Sequence, residues 1–278
     1  MNAPMSTRTM ALFCDFENVA LGVRDARYSA FDIQKVLERL LLKGNIVVRK
    51  AYCDWERYKD FKAPMHEAAF ELIEIPHVRQ SGKNSADIRM VVDALDLCYT
   101  KSHLDTFVIL SGDSDFTPLV SKLRENNKMV IGVGVKQSTS DLLTSNCDEF
   151  IFYDDLIRES EKEKQRRTRG RTAIAKATPK AGPSTEETKM QEALDLVLET
   201  VEDIFEERGG DEKVWGSMVK QAVKRRKPGF NERYHGFRTF SKLLEEASVR
   251  GMLQIQHDEK SGGYIIEGFT QDEEDDGH

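Results

Sequence analysis

Two kinds of apolar run alternate through the first half of the chain. Thr9–Cys14, Ile46–Cys53, Glu71–Val78, Thr106–Leu110, Met129–Val135 and Glu149–Tyr153 are short and rich in β-branched and other apolar residues, as buried strands are. Between them the spacing turns helical. Ala30–Leu42 repeats apolar residues at Phe31, Ile33, Val36, Leu37 and Leu40 before Gly44 stops it. Further helices are predicted over Tyr58–Phe70 despite Pro64, over Ser85–Tyr99 and over Pro118–Asn126, with a short one ahead of the last strand. Strand after helix after strand predicts an α/β fold, a doubly wound, mostly parallel sheet with helices on both faces and right-handed crossovers.

Residues 158–189 lose this periodicity. They hold Arg166-Arg167-Thr168-Arg169-Gly170-Arg171 and then Ala, Lys, Thr, Pro and Ser, the composition of a basic flexible linker. That linker would join a domain at 1–157 to a second at 190–268, with 269–278 as an acidic tail. In the second domain Met190–Glu207 places Leu194, Val197, Leu198, Val201 and Phe205 at helical spacing, and Gly209-Gly210 ends the run. Val214–Val223 and Tyr234–Val249 predict two more helices around the turn Lys227-Pro228-Gly229, while Leu253–Gln256 and Tyr264–Ile266 flank Ser261-Gly262-Gly263 as a hairpin. Three helices and a hairpin predict a small, mainly α winged-helix domain.

Composition narrows the class. A chain of 278 residues with 39% hydrophobic content supports one sizeable core and a second small one. Nothing in it is apolar enough to span a membrane, and Met1–Met10 lacks the apolar core of a signal peptide, so the expectation is a cytoplasmic protein without a membrane partner. Cys14, Cys53, Cys98 and Cys147 stand too far apart for a Cys-x-x-Cys site and read as reduced, mostly buried thiols. The histidines show no zinc spacing. Gly132-Val133-Gly134 lacks the third glycine of a dinucleotide fingerprint, and no P-loop occurs. The net charge of −7 hides a segregation: residues 1–157 carry 19 basic and 23 acidic side chains, 158–181 carry 9 and 3, 186–212 carry 2 and 11, and 213–260 carry 11 and 5. Overall charge therefore says little about partners, whereas the basic blocks suit a phosphate backbone.

The stretch with the most chemistry is Ser111-Gly112-Asp113-Ser114-Asp115-Phe116, which leaves the carboxyl end of a predicted strand. Thr117 is a candidate cap and Pro118 a first-turn residue for the helix that follows. Ligands of open α/β sheets bind at strand carboxyl ends. Two aspartates separated by one residue there repel each other unless a cation or a proton relieves them, although a Gly-Asp-Ser-Asp turn also suits aspartates that only shape the chain. Asp15, after the first strand, and Asp87, in the first turn of the third predicted helix, are carboxylates that the sheet could bring to the same end. Such a set suits magnesium or manganese (Mg2+ or Mn2+), which bind few carboxylates and keep waters for substrate phosphates. Metal-assisted phosphodiester hydrolysis is the chemistry it would serve. Asn18 could orient a carboxylate or hold the attacking water. Asp93 lies roughly 240° around the helix from Asp87 and cannot share its face.

Asp15-Phe16-Glu17-Asn18, the segment from Lys83 through Asp87 to Leu95, and Ser111–Phe116 resemble, in this order and spacing, the NYN family of PIN-like nucleases. The resemblance covers about residues 9–157. It implies a PIN-like α/β fold and a metal-dependent ribonuclease site near Asp15, Asn18, Asp87, Asp113 and Asp115, with the metal near Asp15, Asp87 and Asp113. Residues 190–268 resemble an OST-HTH or LOTUS domain through Met218-Val219-Lys220, Gly229-Phe230-Asn231 and the helix Phe237–Leu244 before a wing. That likeness implies a winged-helix module for RNA or for a protein partner. The LabA-like group shares the pairing of the two domains.

Two other functions compete. A haloacid-dehalogenase-type phosphatase also pairs an early aspartate with a later Gly-Asp loop, but Glu17 is longer than the second aspartate it needs and Asn18 replaces the expected neighbour. A non-catalytic RNA-binding scaffold is the stronger rival, against which stands the presence of every acidic position. For RNA contact the candidates near the site are Lys83, Arg89 and Lys136, then Arg166, Arg167, Arg169 and Arg171. In the second domain they are Lys220, Lys224, Arg225, Arg226 and Lys227, with Arg233 and Arg238 nearby and Phe230, Tyr234 and Phe237 as aromatic partners.

Overall fold

The computed structural model describes residues 8–75, 85–161, 185–208, 213–259 and 261–270. It divides into two units, Met1–Lys176 and Ala177–His278. The first is built on six strands: β1 (Arg8–Asp15), β2 (Gly44–Cys53), β3 (Glu71–Glu74), β4 (Thr106–Leu110), β5 (Met129–Gly134) and β6 (Glu149–Phe152). They lie side by side in the order β3-β2-β1-β4-β5-β6, every neighbouring pair parallel. The chain winds outward from β1 in one direction and from β4 in the other. The carboxyl ends of β1 and β4 therefore flank the crevice where crossovers diverge to opposite faces.

Strand periodicity distributes the core. Met10, Leu12 and Cys14 of β1 pack with Val36 and Leu40 of α2 (Ile33–Lys43) and Val19 of α1 (Phe16–Asp25). Ala11 and Phe13 face the other way, with Met90 and Ala94 of α4 (Ser85–Thr100) and Leu119 and Leu123 of α5 (Thr117–Glu125). All five β1 residues are fully buried, and the Phe13 ring stacks on Phe107 at 6.0 Å. A strand covered on both faces reads as a continuous apolar run, which is why the pattern along the sequence was legible. The other helices of the unit are α3 (Lys59–Glu67), which contains Pro64, α6 (Asp141–Asn146) and α7 at 153–161.

Several expectations change. No helix is expected directly after the first strand, but one starts there: Asp15 ends β1 and caps α1, with its carboxylate accepting from the Asn18 N–H. Phe16, Val19, Gly22 and Val23 form the buried stripe of that helix, a short one whose β-branched and glycine residues weaken the helical signal. The second helix starts at Ile33 rather than Ala30, because Asp32 caps it through the Gln34 N–H. Thr117 is not the N-cap of α5. Asp113 caps a 3-10 turn, Ser114–Phe116, and Thr117 is the first residue of α5, with its hydroxyl buried and unpartnered. Helix α7 runs to residue 161 and the next helix begins at Thr185, so both described ends of the predicted linker are helical.

The second unit holds α8 (Thr185–Arg208), α9 (Gly216–Arg226) and α10 (Phe240–Val249) with an antiparallel sheet ordered β7-β9-β8, from β7 (Val214–Trp215), β8 (Leu253–Asp258) and β9 (Gly263–Phe269). Gly262, at φ +68, makes the turn of the β8–β9 wing. This is the winged-helix arrangement, with two local corrections. Val214 and Trp215 form a strand against Ile266 and Ile265 rather than the start of a helix. The third helix begins at Phe240 behind the Thr239 cap, and the residues before it form successive turns. Strand β9 continues one residue past the predicted boundary at 268. Among the described residues no helix is long and apolar enough to cross a membrane.

Candidate functional site

Strand parity delivers the first carboxylate. Asp15 stands two residues beyond Phe13 on β1, which directs it to the α4 side of the sheet, and Ser111 continues the same alternation beyond Ile109 on β4. The two meet: Ser111 Oγ donates to Asp15 Oδ2 at 3.0 Å and accepts from the Asp113 N–H at 3.2 Å. Asn18 closes the other side. Its N–H reaches Asp15 Oδ1 at 3.4 Å and its Oδ1 accepts from the Gly112 N–H at 2.9 Å. Asp113 Oδ1 accepts from the Asp115 N–H at 2.9 Å. Gly112 is required here because a Cβ would lie 2.4 Å from the Ser138 carbonyl oxygen, and Ser140 N–H holds the Gly112 carbonyl at 2.9 Å.

The electrostatics are one-sided. Among the described residues none of Asp15, Asp87, Asp113 and Asp115 has an ion-pair partner. Burial, followed by the nearby Asp87 and more weakly Asp113, pushes Asp15 up to about 7 against the hydrogen bonds from Asn18 and Ser111. Burial, then Asp113, Asp115 and Glu17, push Asp87 up to about 6. The sheet thus brings all four predicted aspartates into one mutual field and adds Glu17, whose carboxylate Arg57 meets at 3.2 Å. Asp93 lies outside it, held by Tyr52 Oη at 2.9 Å, Arg89 Nε at 3.0 Å and Lys50 Nζ at 3.5 Å.

Oxygen-only donors with uncompensated charge fit a hard divalent ion and not a thiolate- or imidazole-seeking one. Among the described residues no three His, Cys, Asp or Glu side chains gather into a group that could hold an ion. Sequence reasoning passed over Ser111 and Glu17. Both sat inside the motifs already singled out, but only the strand parity of Ser111 and the helical placement of Glu17 mark them. Asn18 proves to hold backbone and carboxylate together.

The predicted RNA contacts divide. Lys83, Arg166, Arg167, Arg169 and Arg171 lie outside the described residues. Arg89 is exposed and paired with Asp93, and Lys136, just beyond the carboxyl end of β5, pairs with Asp155 at 2.8 Å. In the second unit the five cations do not form one track. Arg226 is tied to Asp203 of α8 at 2.6 Å with 9% of its side chain exposed, Lys220 reaches Glu232 at 3.0 Å, and Arg225 is half-buried. Lys224 and Lys227 are exposed. Of the three aromatics, Phe230 and Phe237 belong to the core and Tyr234 is 63% exposed.

A parallel sheet in this order, helices on both faces and an acidic centre at the strand divergence define a PIN-like α/β protein. The NYN domain model matches residues 9–156, more than half of the chain, and the chain belongs to that family. It is 28% identical over 120 residues to the uncharacterized protein MJ0482 of Methanocaldococcus jannaschii, a match covering 43% of this chain and 47% of the relative, or about half of the relative's length. It is also similar to the crystal structure of a protein of unknown function, VPA0982, from Vibrio parahaemolyticus RIMD 2210633 (26% identity, TM-score 0.49, covering 55% of this chain and 98% of that one).

Proposed function

We propose that the first unit hydrolyses RNA phosphodiester bonds with a divalent metal ion, and that the second is an OST-HTH or LOTUS-type module that holds the RNA or a protein partner. One observation carries the reading: at the β1–β4 crevice Asp15, Asp87, Asp113 and Asp115 share a field with no facing cation among the described residues, while Ser111 and Asn18 hold the strand-end pair in register. Proteins rarely keep such repulsion unless a ligand relieves it. NYN membership points to the nuclease superfamily. Asp15, Asp87 and Asp113 are the residues that would hold magnesium or manganese, and since they do not stand as a gathered trio, binding would have to draw their side chains together or reach them through the ion's own waters. When bound, such an ion lowers the pKa of a water it carries and offsets charge on the phosphoryl transition state. Ser111 and Asn18 are positioning residues. Ser111 fixes one Asp15 oxygen and the Asp113 backbone together, and Asn18 fixes the Gly112 peptide, so the two strand ends cannot drift apart without breaking hydrogen bonds.

The rival reading, RNA binding without cleavage, draws on the lack of a gathered trio of ligands among the described residues. Incubating the full chain with end-labelled single-stranded RNA in magnesium or manganese, with and without chelator, separates the two. Metal-dependent fragments support hydrolysis. Retention of intact RNA by the protein under every metal condition replaces it with the scaffold.

A further inference from the structure

We propose that the turn segment Lys227–Thr239 of the second unit is a stacking platform for single-stranded RNA, with the Tyr234 ring as the surface on which a base lies; this rests on the RNA-binding reading above. Tyr234 is 63% exposed, whereas Phe230 and Phe237 on either side of it are buried. An exposed aromatic without fixed surroundings would lose much of its stacking energy to ordering, but this one is held. Successive turns bond Tyr234 N–H to the Asn231 carbonyl at 3.1 Å, Gly236 N–H to Arg233 at 3.1 Å and Phe237 N–H to Glu232 at 2.9 Å. His235 stacks on Phe230 at 5.3 Å, donates from Nδ1 to the Lys189 carbonyl of α8 at 2.9 Å, and sets its ring edge-on to Tyr234 at 5.2 Å. Lys189 Nζ lies 4.4 Å from the Tyr234 ring centre. Lys189 thus lies over one face of the ring, and with 63% of the residue still exposed a planar partner would take the area that the lysine leaves or displace it.

The surroundings choose that partner. Lys227, Arg233 and Arg238 are exposed, and none of them has an ion-pair partner among the described residues, in contrast to Lys220 and Arg226 of the neighbouring helix. One rigid aromatic among unpaired cations suits a base with its flanking phosphates. An apolar protein surface would find no second exposed aromatic in this segment. A base can reach the ring only when it is unstacked from its own neighbours, which selects single strands over duplex.

The test uses the full chain in chelator, so that no cleavage intervenes, and fluorescence anisotropy with a labelled unstructured RNA of about 12 nucleotides, within the span that single-strand modules occupy, and the corresponding duplex. Tyr234→Ala is expected to weaken single-strand binding by about tenfold while leaving the salt slope and the duplex affinity unchanged. Tyr234→Trp should keep wild-type affinity. Arg233→Gln with Arg238→Gln should instead flatten the salt slope, by about 0.7 for each phosphate no longer neutralised. Since Tyr234 is exposed, unchanged thermal melting accompanies each of these outcomes. Wild-type single-strand affinity in Tyr234→Ala, or an equal loss on duplex, overturns the platform and leaves RNA binding standing. Failure of the wild-type chain to bind either oligonucleotide overturns both.

Discussion

The two ends of the parallel sheet carry the same residue type in opposite circumstances. At the amino end an open cleft of about 780 Å3 is lined by Arg8, Asp105, Arg124, Lys128 and Asp148 among others. There Asp105 accepts from the Thr9 N–H at 3.1 and 3.2 Å and from Thr106 Oγ1 at 2.7 Å. Asp148 accepts from the Val130 N–H at 2.8 Å and meets Arg124 Nε at 3.0 Å. Asp148 thus faces a cation, and Asp105 faces only neutral donors, with no second carboxylate against either among the described residues. At the carboxyl end Asp15 lies in the field of Asp87 and Asp113, Asp87 in that of Asp113, Asp115 and Glu17, and Arg57 pairs with Glu17. An aspartate beside a strand is thus structural when its partners neutralise it and a candidate for ligand chemistry when they do not.

Replacing one aspartate at each end should separate these two roles by the widest margin. Asp113→Asn is expected to lower metal-dependent RNA cleavage about a hundredfold or more with RNA affinity in chelator unchanged, because an amide can still cap the Ser114–Phe116 turn but no longer supplies an anionic oxygen. Asp148→Asn should leave cleavage per folded molecule as it was. Wild-type cleavage by Asp113→Asn would detach the chemistry from this loop.

Stability should move in opposite directions at the two ends. Asp148→Ala strips a partner from the Val130 N–H, whose residue is fully buried, and should cost about 1–3 kcal/mol. Asp15→Asn keeps an oxygen to accept from the Asn18 N–H and turns its other arm into a donor toward Ser111 Oγ, whose hydroxyl can rotate, while removing a buried charge, and should stabilise the metal-free protein by roughly 1–2 kcal/mol at about pH 8. Urea denaturation in chelator checks both signs. An Asp15→Asn protein less stable than wild type would mean that its carboxylate is structural after all.

That second effect is pH-dependent. Asp15 and Asp87 bind protons more tightly in the folded chain, at about 7 and about 6, than an unfolded chain does at about 4. Their contribution is therefore fully present below about pH 4 and is lost as pH rises through about 6 and 7. The melting-temperature gap between Asp15→Asn and the metal-free wild type should be small at about pH 4, widen up to about pH 7 and then level off. A gap that is constant with pH would remove burial and carboxylate repulsion as its cause.

The smallest effect belongs to Arg57. It is half-exposed and meets Glu17, a member of the acidic field. Arg57→Gln should change folding stability by less than about 0.5 kcal/mol, yet tighten magnesium binding by about twofold through the added negative field. The shift of melting temperature with magnesium concentration reads it, and weaker magnesium binding in Arg57→Gln would show that the arginine supports the site instead of opposing it.

Much of the first unit was legible because β1, β4 and β5 are buried on both faces, and burial of that kind writes itself as uninterrupted apolar runs. Helix α1 was not, since Phe16, Val19, Gly22 and Val23 mix weak helix formers with a motif that drew attention for its carboxylates. In the second unit, the helical run predicted from Tyr234 breaks at Gly236, whose φ of +89 is unfavourable for other residues, and the cap at Thr239 starts the helix afresh.

Local patterning was enough for the parallel α/β class, the winged-helix class and the identity of the acidic motifs, because side-chain periodicity and turn chemistry act over a few residues. Which carboxylates share a field was decided by tertiary structure alone. Asp15 and Ser111 are 96 positions apart and meet only because β1 and β4 are neighbours at the centre of the sheet. The same holds for the cations. In sequence Arg226 and Lys227 are equivalent members of a basic run, but folding places Arg226 against Asp203 and leaves Lys227 exposed, since charge is a property of the residue and its neutralisation a property of the neighbours that packing supplies.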